Sequence, residues 1–182
     1  MIKRLFGRSR SLALVAIAFA LAGCSDCSCA VRQKSVQVFF SPGGGITEAV
    51  VQSLGQAKQA VLVQAYSFTS APIVQALLDA HKRGVHVQVI LDSSQQTDKY
   101  SAADFISHAG IRCFIDRGHA SAHNKIMVID GETVITGSFN FTKAAEEQNA
   151  ENLLVIRDTA VASEYVSNWR THQKHSVVYA RR

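Results

Sequence analysis

Cysteine is scarce in this 182-residue chain, and its placement excludes more than its number does. Of four cysteines, Cys24, Cys27 and Cys29 crowd near the N-terminus, which leaves Cys113 alone in the body of the sequence. A disulfide framework is therefore not expected. The Cys24-x-x-Cys27 spacing lacks the strand and helix context of a redox motif. Cys113, inside Ile111-Arg112-Cys113-Phe114-Ile115, reads as a buried strand thiol. The unbroken apolar stretch Leu12 to Ala22 is 11 residues, too short to cross a bilayer as a helix. Gly43-Gly44-Gly45 precedes a helical pattern but lacks the lysine and spacing of a P-loop, so it reads as a flexible turn. Nor does a metal-ligand pattern stand out. His119 and His123 are four apart, but in a segment that reads as a loop entering a strand. His119 is expected at a pocket rim or in solvent. His172 and His175 are expected to be solvated near the C-terminus, binding metal only adventitiously. His81, His86 and His108 carry no pattern. No cofactor and no metal site is expected.

What is present begins with a leader. Lys3, Arg4, Arg8 and Arg10 precede the apolar stretch, as in a signal peptide. Leu21-Ala22-Gly23-Cys24 looks like a lipobox, which makes 1–23 the signal peptide and Cys24 the lipidation site. Ordinary cleavage after Ala30 is the alternative. Either route predicts an exported, periplasmic protein, anchored to the membrane where Cys24 is acylated. Residues 24–35 then read as a tether, 36–175 as one catalytic domain and 176–182 as a tail. Removing residues 1–30 leaves 15 Lys+Arg and 13 Asp+Glu, so the formal +5 falls to +2. The basic pI does not by itself indicate a nucleic-acid binder, because Lys82, Arg83, Arg112 and Arg117 are scattered.

After residue 35, strand and helix signals alternate. Strands are expected at Val36–Phe40, Ala60–Phe68, Val85–Leu91 and Ile111–Ile115, and helices at Ile46–Lys58, Pro72–Arg83, Tyr100–Ala109 and Val161–Thr171. The alternation predicts an α/β sandwich with a mixed sheet, parallel early and antiparallel later.

Residues 123–140, HNKIMVIDGETVITGSFN, carry the chemistry. Asp130-Gly131 is a type I′ turn signal between two β-rich runs. A two-residue turn pairs Ile129 with Glu132 and sets His123 opposite Ser138. Alternation then gathers His123, Lys125, Ser138 and Asn140 into one polar cluster, and Gly137, opposite Asn124, allows close backbone approach. Lys125, Ser138 and Asn140 offer donors to the oxygens of an anionic phosphodiester, with Lys143 as a further phosphate contact. His123 is the candidate nucleophile. Glu151, at the start of the buried-strand run to Ile156, is the candidate partner for its second ring nitrogen, with a solvated strand end as the alternative. Asp130 falls in the turn and points away from this cluster.

The pattern H-x-K-x4-D-x6-G-S-x-N over His123, Lys125, Asp130, Gly137, Ser138 and Asn140 resembles the signature of the phospholipase D superfamily. Ala65 to Thr69, Lys82 to Val85 and Gly137 to Ala145 look like its small, single-motif, Nuc-like endonuclease branch. The resemblance implies an α-β-α sandwich with one half-site per chain, pairing as a homodimer. It also implies catalytic roles for His123, Lys125, Asp130, Ser138, Asn140 and Glu151. One histidine would attack phosphorus while a second protonates the leaving oxygen. The expected activity is metal-independent cleavage of DNA or RNA. Phospholipid headgroup hydrolysis is the alternative, and a non-catalytic exported lipoprotein is the rival of another class.

Overall fold

The expected alternation closes into one sheet. The computed structural model describes residues 35–97 and 101–180; the expected leader, Cys24 and the cleavage point after Ala30 lie outside them. In chain order the elements are β1 (Ser35–Ser41), α1 (Ile46–Gly55), β2 (Ala60–Ala65), α2 (Ala71–Lys82), β3 (His86–Asp92), a 3-10 turn (Ser93–Gln96), α3 (Ala103–His108) and β4 (Arg112–Asp116). Then follow β5 (Lys125–Ile129), β6 (Thr133–Gly137), α4 (Lys143–Glu147), β7 (Glu151–Arg157), α5 (Thr159–His175) and β8 (Val177–Val178). Strand order is β1-β7-β6-β5-β2-β3-β4-β8. Among the described strands only β2–β3 and β3–β4 run parallel.

Alternation along each strand assigns its two faces. Val61, Val63, Ala65, Met127, Ile129, Ile135, Leu153 and Val155 pack with Ile46, Val50, Leu54, Ile73 and Leu77 of α1 and α2. The opposite face receives α5, whose Trp169 packs with Ile90, Phe114 and Ile126 and whose Ala162 packs with Val128 and Val134. Trp169 Nε1 donates to the Val63 carbonyl at 2.8 Å, so the one polar atom of the largest buried side chain is satisfied. Left-handed glycines end α2 and α3, Gly84 at φ 91° and Gly110 at φ 86°. Asp158 starts α5, its carboxylate accepting from the Ala160 and Val161 amides at 2.8 and 3.4 Å.

Three boundaries differ from the sequence expectation. The segment 176–182 is not merely a tail: Val177 and Val178 pair with β4, and buried Tyr179 donates its hydroxyl to Asp104 at 2.9 Å. The run after β2 leaves the ladder at Ala65, since Tyr66 continues by donating its amide to the Asn124 carbonyl. The short α4 was not expected; Thr142 caps it through the Ala145 amide.

Candidate active site

The motif strands meet with a register one residue away from the expected one. Asp130 (φ 55°) and Gly131 (φ 67°) do form the left-handed turn, closed by the Glu132 amide on the Ile129 carbonyl at 3.0 Å. The ladder, however, pairs Ile129 with Thr133 and Ile126 with Thr136. Glu132 is the extra residue of a bulge, with its carbonyl taken by the Asp158 amide at 3.0 Å. The direct opposition of His123 and Ser138 is therefore absent, and both lie just outside the strands. Gly137 does allow a close approach, but to β7: a Cβ there would sit 2.2 Å from the Asn152 carbonyl oxygen.

His123 is exposed at the strand ends, and Lys125 beneath it is buried. The Lys125 ammonium donates to His123 Nδ1 at 2.9 Å and to the His123 carbonyl at 2.7 Å. Tyr66 stacks against this pair, 4.5 Å from the His123 ring and 5.0 Å from Lys125 Nζ. Sequence reading gave Tyr66 no role; its only signal was its place in the Ala65 to Thr69 run. Burial lowers the pKa of Lys125, while the Glu151 carboxylate pulls the other way, and burial wins.

Glu151 does not lie behind His123. Its carboxylate accepts from Ser138 Oγ at 2.5 Å and from Asn149 Nδ2 at 3.1 Å. The strand order gives the reason: β6 lies between β7 and β5, so Glu151 starts two strands, roughly 10 Å, from the His123 strand. Ser138 fills the gap between them, accepting the Asn152 amide at 3.1 Å while donating to Glu151. Its neighbours Phe139 and Phe141 are fully buried, which turns Ser138 and Asn140 away from that part of the core. The Asn140 carboxamide oxygen is buried with no hydrogen-bond partner. Lys143 stands exposed at the start of α4, 3.6 Å from Glu147, rather than among these donors.

Asp130 lies at the other end of the hairpin. Its carboxylate accepts the amides of Lys58 (3.0 Å), Gln59 (2.8 Å) and Ala60 (3.0 Å), which lead into β2. At the catalytic end, buried Asp92 accepts the Ala122 amide at 2.7 Å and so pins the loop one residue before His123.

The geometry is thus an imidazole, an ammonium and a hydroxyl–carboxylate pair at the open ends of β5, β6 and β7, a set suited to attack on a phosphorus centre. Residues 50–172 match the family described as "Cardiolipin synthase, PLD-like domain". The chain belongs to this phospholipase D-like family and is a hydrolase of the phospholipase D superfamily. Within it, the chain falls in the small Nuc-like branch. It is 37% identical to the crystal structure of Nuc from Salmonella typhimurium, a phospholipase D family member, covering 82% of this chain and 100% of that one at a TM-score of 0.79. It is 39% identical over 149 residues to a phospholipase D of Rickettsia typhi, covering 82% of this chain and 73% of that protein. A mitochondrial cardiolipin hydrolase of Xenopus laevis is 34% identical over 116 residues, covering 64% of this chain and 55% of that protein.

Proposed function

We propose that this phosphodiesterase is an exported, non-specific endonuclease that cleaves DNA or RNA through a phosphohistidine on His123, in a homodimer. The observation that carries the reading is the pairing of exposed His123 with buried Lys125, Nδ1 to Nζ 2.9 Å, beside the Ser138–Glu151 pair. Lys125 can only donate, so Nδ1 accepts, and the neutral ring holds its proton on the other nitrogen. A substrate phosphate competes for the ammonium. When Lys125 turns to a phosphate oxygen, Nδ1 can take the proton, and Nε2 gains the lone pair that attacks phosphorus. The P–N bond forms as the P–O bond to the leaving group breaks. The second subunit's copy of His123 protonates the departing oxygen. It then takes a proton from water, which attacks phosphorus and breaks the P–N bond. Ser138, Asn140 and Lys125 supply donors to the phosphoryl oxygens, and no step is assigned to a metal.

Support for a second subunit comes from β1. Val36, Val38 and Phe40 form an apolar stripe on its edge, 58, 52 and 64% exposed. The stripe runs towards the site, since Phe40 pairs with Asn152 and Ser41 with Glu151. Self-association there would cover an exposed apolar edge strand. The exposed strand-end site and the absence of large insertions in this short chain suit a polymer. Export to the periplasm, with Cys24 acylated or cleavage after Ala30, follows from the leader pattern and is read out by the mass of the mature N-terminus.

The relatives named phospholipase D favour a second reading, headgroup hydrolysis by the same chemistry. Purified protein is incubated with single-stranded DNA, RNA and phosphatidylcholine vesicles, with and without chelator. Nucleic acid should be cleaved, with none cleaved by His123→Ala. Choline release without nucleic-acid cleavage overturns the substrate assignment. No turnover of any of the three overturns the catalytic reading.

A further inference from the structure

The C-terminal histidines are not solvated bystanders. Asp116, at the end of β4, is fully buried, and three imidazole nitrogens converge on its Oδ2: His172 Nδ1 at 3.0 Å, His119 Nδ1 at 3.1 Å and His175 Nε2 at 3.3 Å. The three rings lie 5.0 to 5.3 Å apart, centroid to centroid. One ligand atom from each of the four residues lies within 4.8 Å of the others. His172 and His175 are three apart on α5 and so share a face. His119 arrives on the loop after β4, past Gly118, where a Cβ would sit 2.8 Å from the His175 ring.

Four donors fill this buried carboxylate, and three of them are imidazole nitrogens able to ligate a metal. A carboxylate offers about four lone-pair sites: the Gly118 amide takes Oδ1 at 2.9 Å, His119 Nδ1 is shared between Oδ1 at 3.2 Å and Oδ2 at 3.1 Å, and His172 and His175 converge on Oδ2. A buried carboxylate facing three imidazoles offers the four oxygen and nitrogen donors that zinc can take in a tetrahedral site. The size also fits. At metal–ligand distances of about 2.0–2.1 Å the edge of a tetrahedron is about 3.3 Å; the three edges that meet at Oδ2 measure 3.0 to 3.3 Å, and all four ligand atoms lie within 4.8 Å of one another.

We propose that Asp116, His119, His172 and His175 bind one divalent transition metal of the zinc class, as a staple joining β4, α5 and the loop that delivers His123. All four ligands come from the protein, so no position is left for substrate, and the ion acts on structure. His119 is four residues before His123, and the loop between them is held again where Asp92 takes the Ala122 amide. The ion would give that loop a second anchor and fix the last turn of α5 just before β8.

The test uses the full chain with Cys24, Cys27 and Cys29 replaced by serine, which removes the N-terminal thiols and leaves the buried Cys113. After chelator stripping, zinc is titrated against a chromogenic chelator, and cobalt(II) is added separately to read coordination geometry. One ion per chain should bind, with the strong visible absorption of a tetrahedral cobalt centre. His172→Gln and His175→Gln should each weaken binding by about a hundredfold or more, and His81→Gln with His108→Gln should leave it unchanged. Zinc a hundredfold above its Kd should raise the melting temperature by about 5–10 °C; in His175→Gln the shift should vanish. His175 is partly exposed, so that variant keeps the test valid if His172→Gln misfolds. Binding no tighter than in His175→Gln, or an octahedral cobalt spectrum, overturns the proposal.

Discussion

Asp130 belongs to the motif, and replacing it separates a chemical role from a structural one. From Lys125 to Asp130 the chain runs five residues along β5, about 17 Å at strand rise, so the carboxylate cannot reach an atom bound at Lys125. Three backbone amides, those of Lys58, Gln59 and Ala60, instead converge on it within 2.8–3.0 Å. Bonds to a charged acceptor reach about 1.5–3 kcal/mol each. These amides lie near solvent and can rehydrate, so about 1 kcal/mol each is the fitting figure, or about 3 kcal/mol in all. Asp130→Gly removes the carboxylate together with the Cβ and keeps the left-handed turn accessible. Asp130→Ala is less stable than Asp130→Gly by about 1–2 kcal/mol, because it keeps a Cβ at φ 55°. For a domain of this size the glycine variant should melt about 6–12 °C lower and the alanine variant lower still. Both should keep kcat within about threefold of wild type when assayed well below their melting temperatures. Calorimetry and steady-state phosphodiesterase assays on the same preparations check this. A variant with unchanged melting temperature and a hundredfold loss of kcat would refute the argument and return Asp130 to the reaction.

Lys125→Met should abolish turnover without lowering the melting temperature at pH 7, because a buried ammonium is replaced by an apolar chain of similar length. The sign follows from its depressed folded pKa. Below that pKa the folded protein carries a charge that burial disfavours. Stability then recovers as pH rises through it towards the ordinary 10.5, where the unfolded chain still binds the proton. The variant should lose this alkaline rise in melting temperature, and a variant that retains it assigns the rise to another group. Gly137→Ala should cost at least about 1–3 kcal/mol, since its Cβ would meet the Asn152 carbonyl at 2.2 Å. Moving β6 from β7 should also cut activity by displacing Ser138; wild-type stability by calorimetry would show that the strands part easily. Phe40→Glu should leave monomer stability within about 0.5 kcal/mol yet shift sedimentation from dimer to monomer and remove activity; an unshifted dimer places the interface elsewhere.

Much of this molecule was legible because its information is local. The β1 to β4 alternation, the glycine stops after α2 and α3 and the left-handed Asp130-Gly131 turn depend on residues a few positions apart, and each formed within a few residues of its expected place. The misreadings share another cause. Whether Glu132 extends the ladder or bulges is not written in Asp-Gly-Glu-Thr; here its carbonyl is taken by Asp158, beyond β7. Glu151 was expected behind His123 because both are polar strand ends, but only strand order shows that β6 intervenes. His172 and His175 looked solvated because their partner, Asp116, is 56 residues away from the nearer of them. The two-residue β8 is too short to carry a pattern and exists because β4 has a free edge. The same distinction bears on the site. Lys125 is held by His123 two residues away, a contact the motif encodes outright. Glu151 acts on Lys125 from β7 across β6, the one strand between them. The motif spacing therefore encodes the histidine and its ammonium, while the sheet supplies the carboxylate. A change that alters strand spacing, such as Gly137→Ala, should reach the reaction through Glu151 and Ser138 without touching His123.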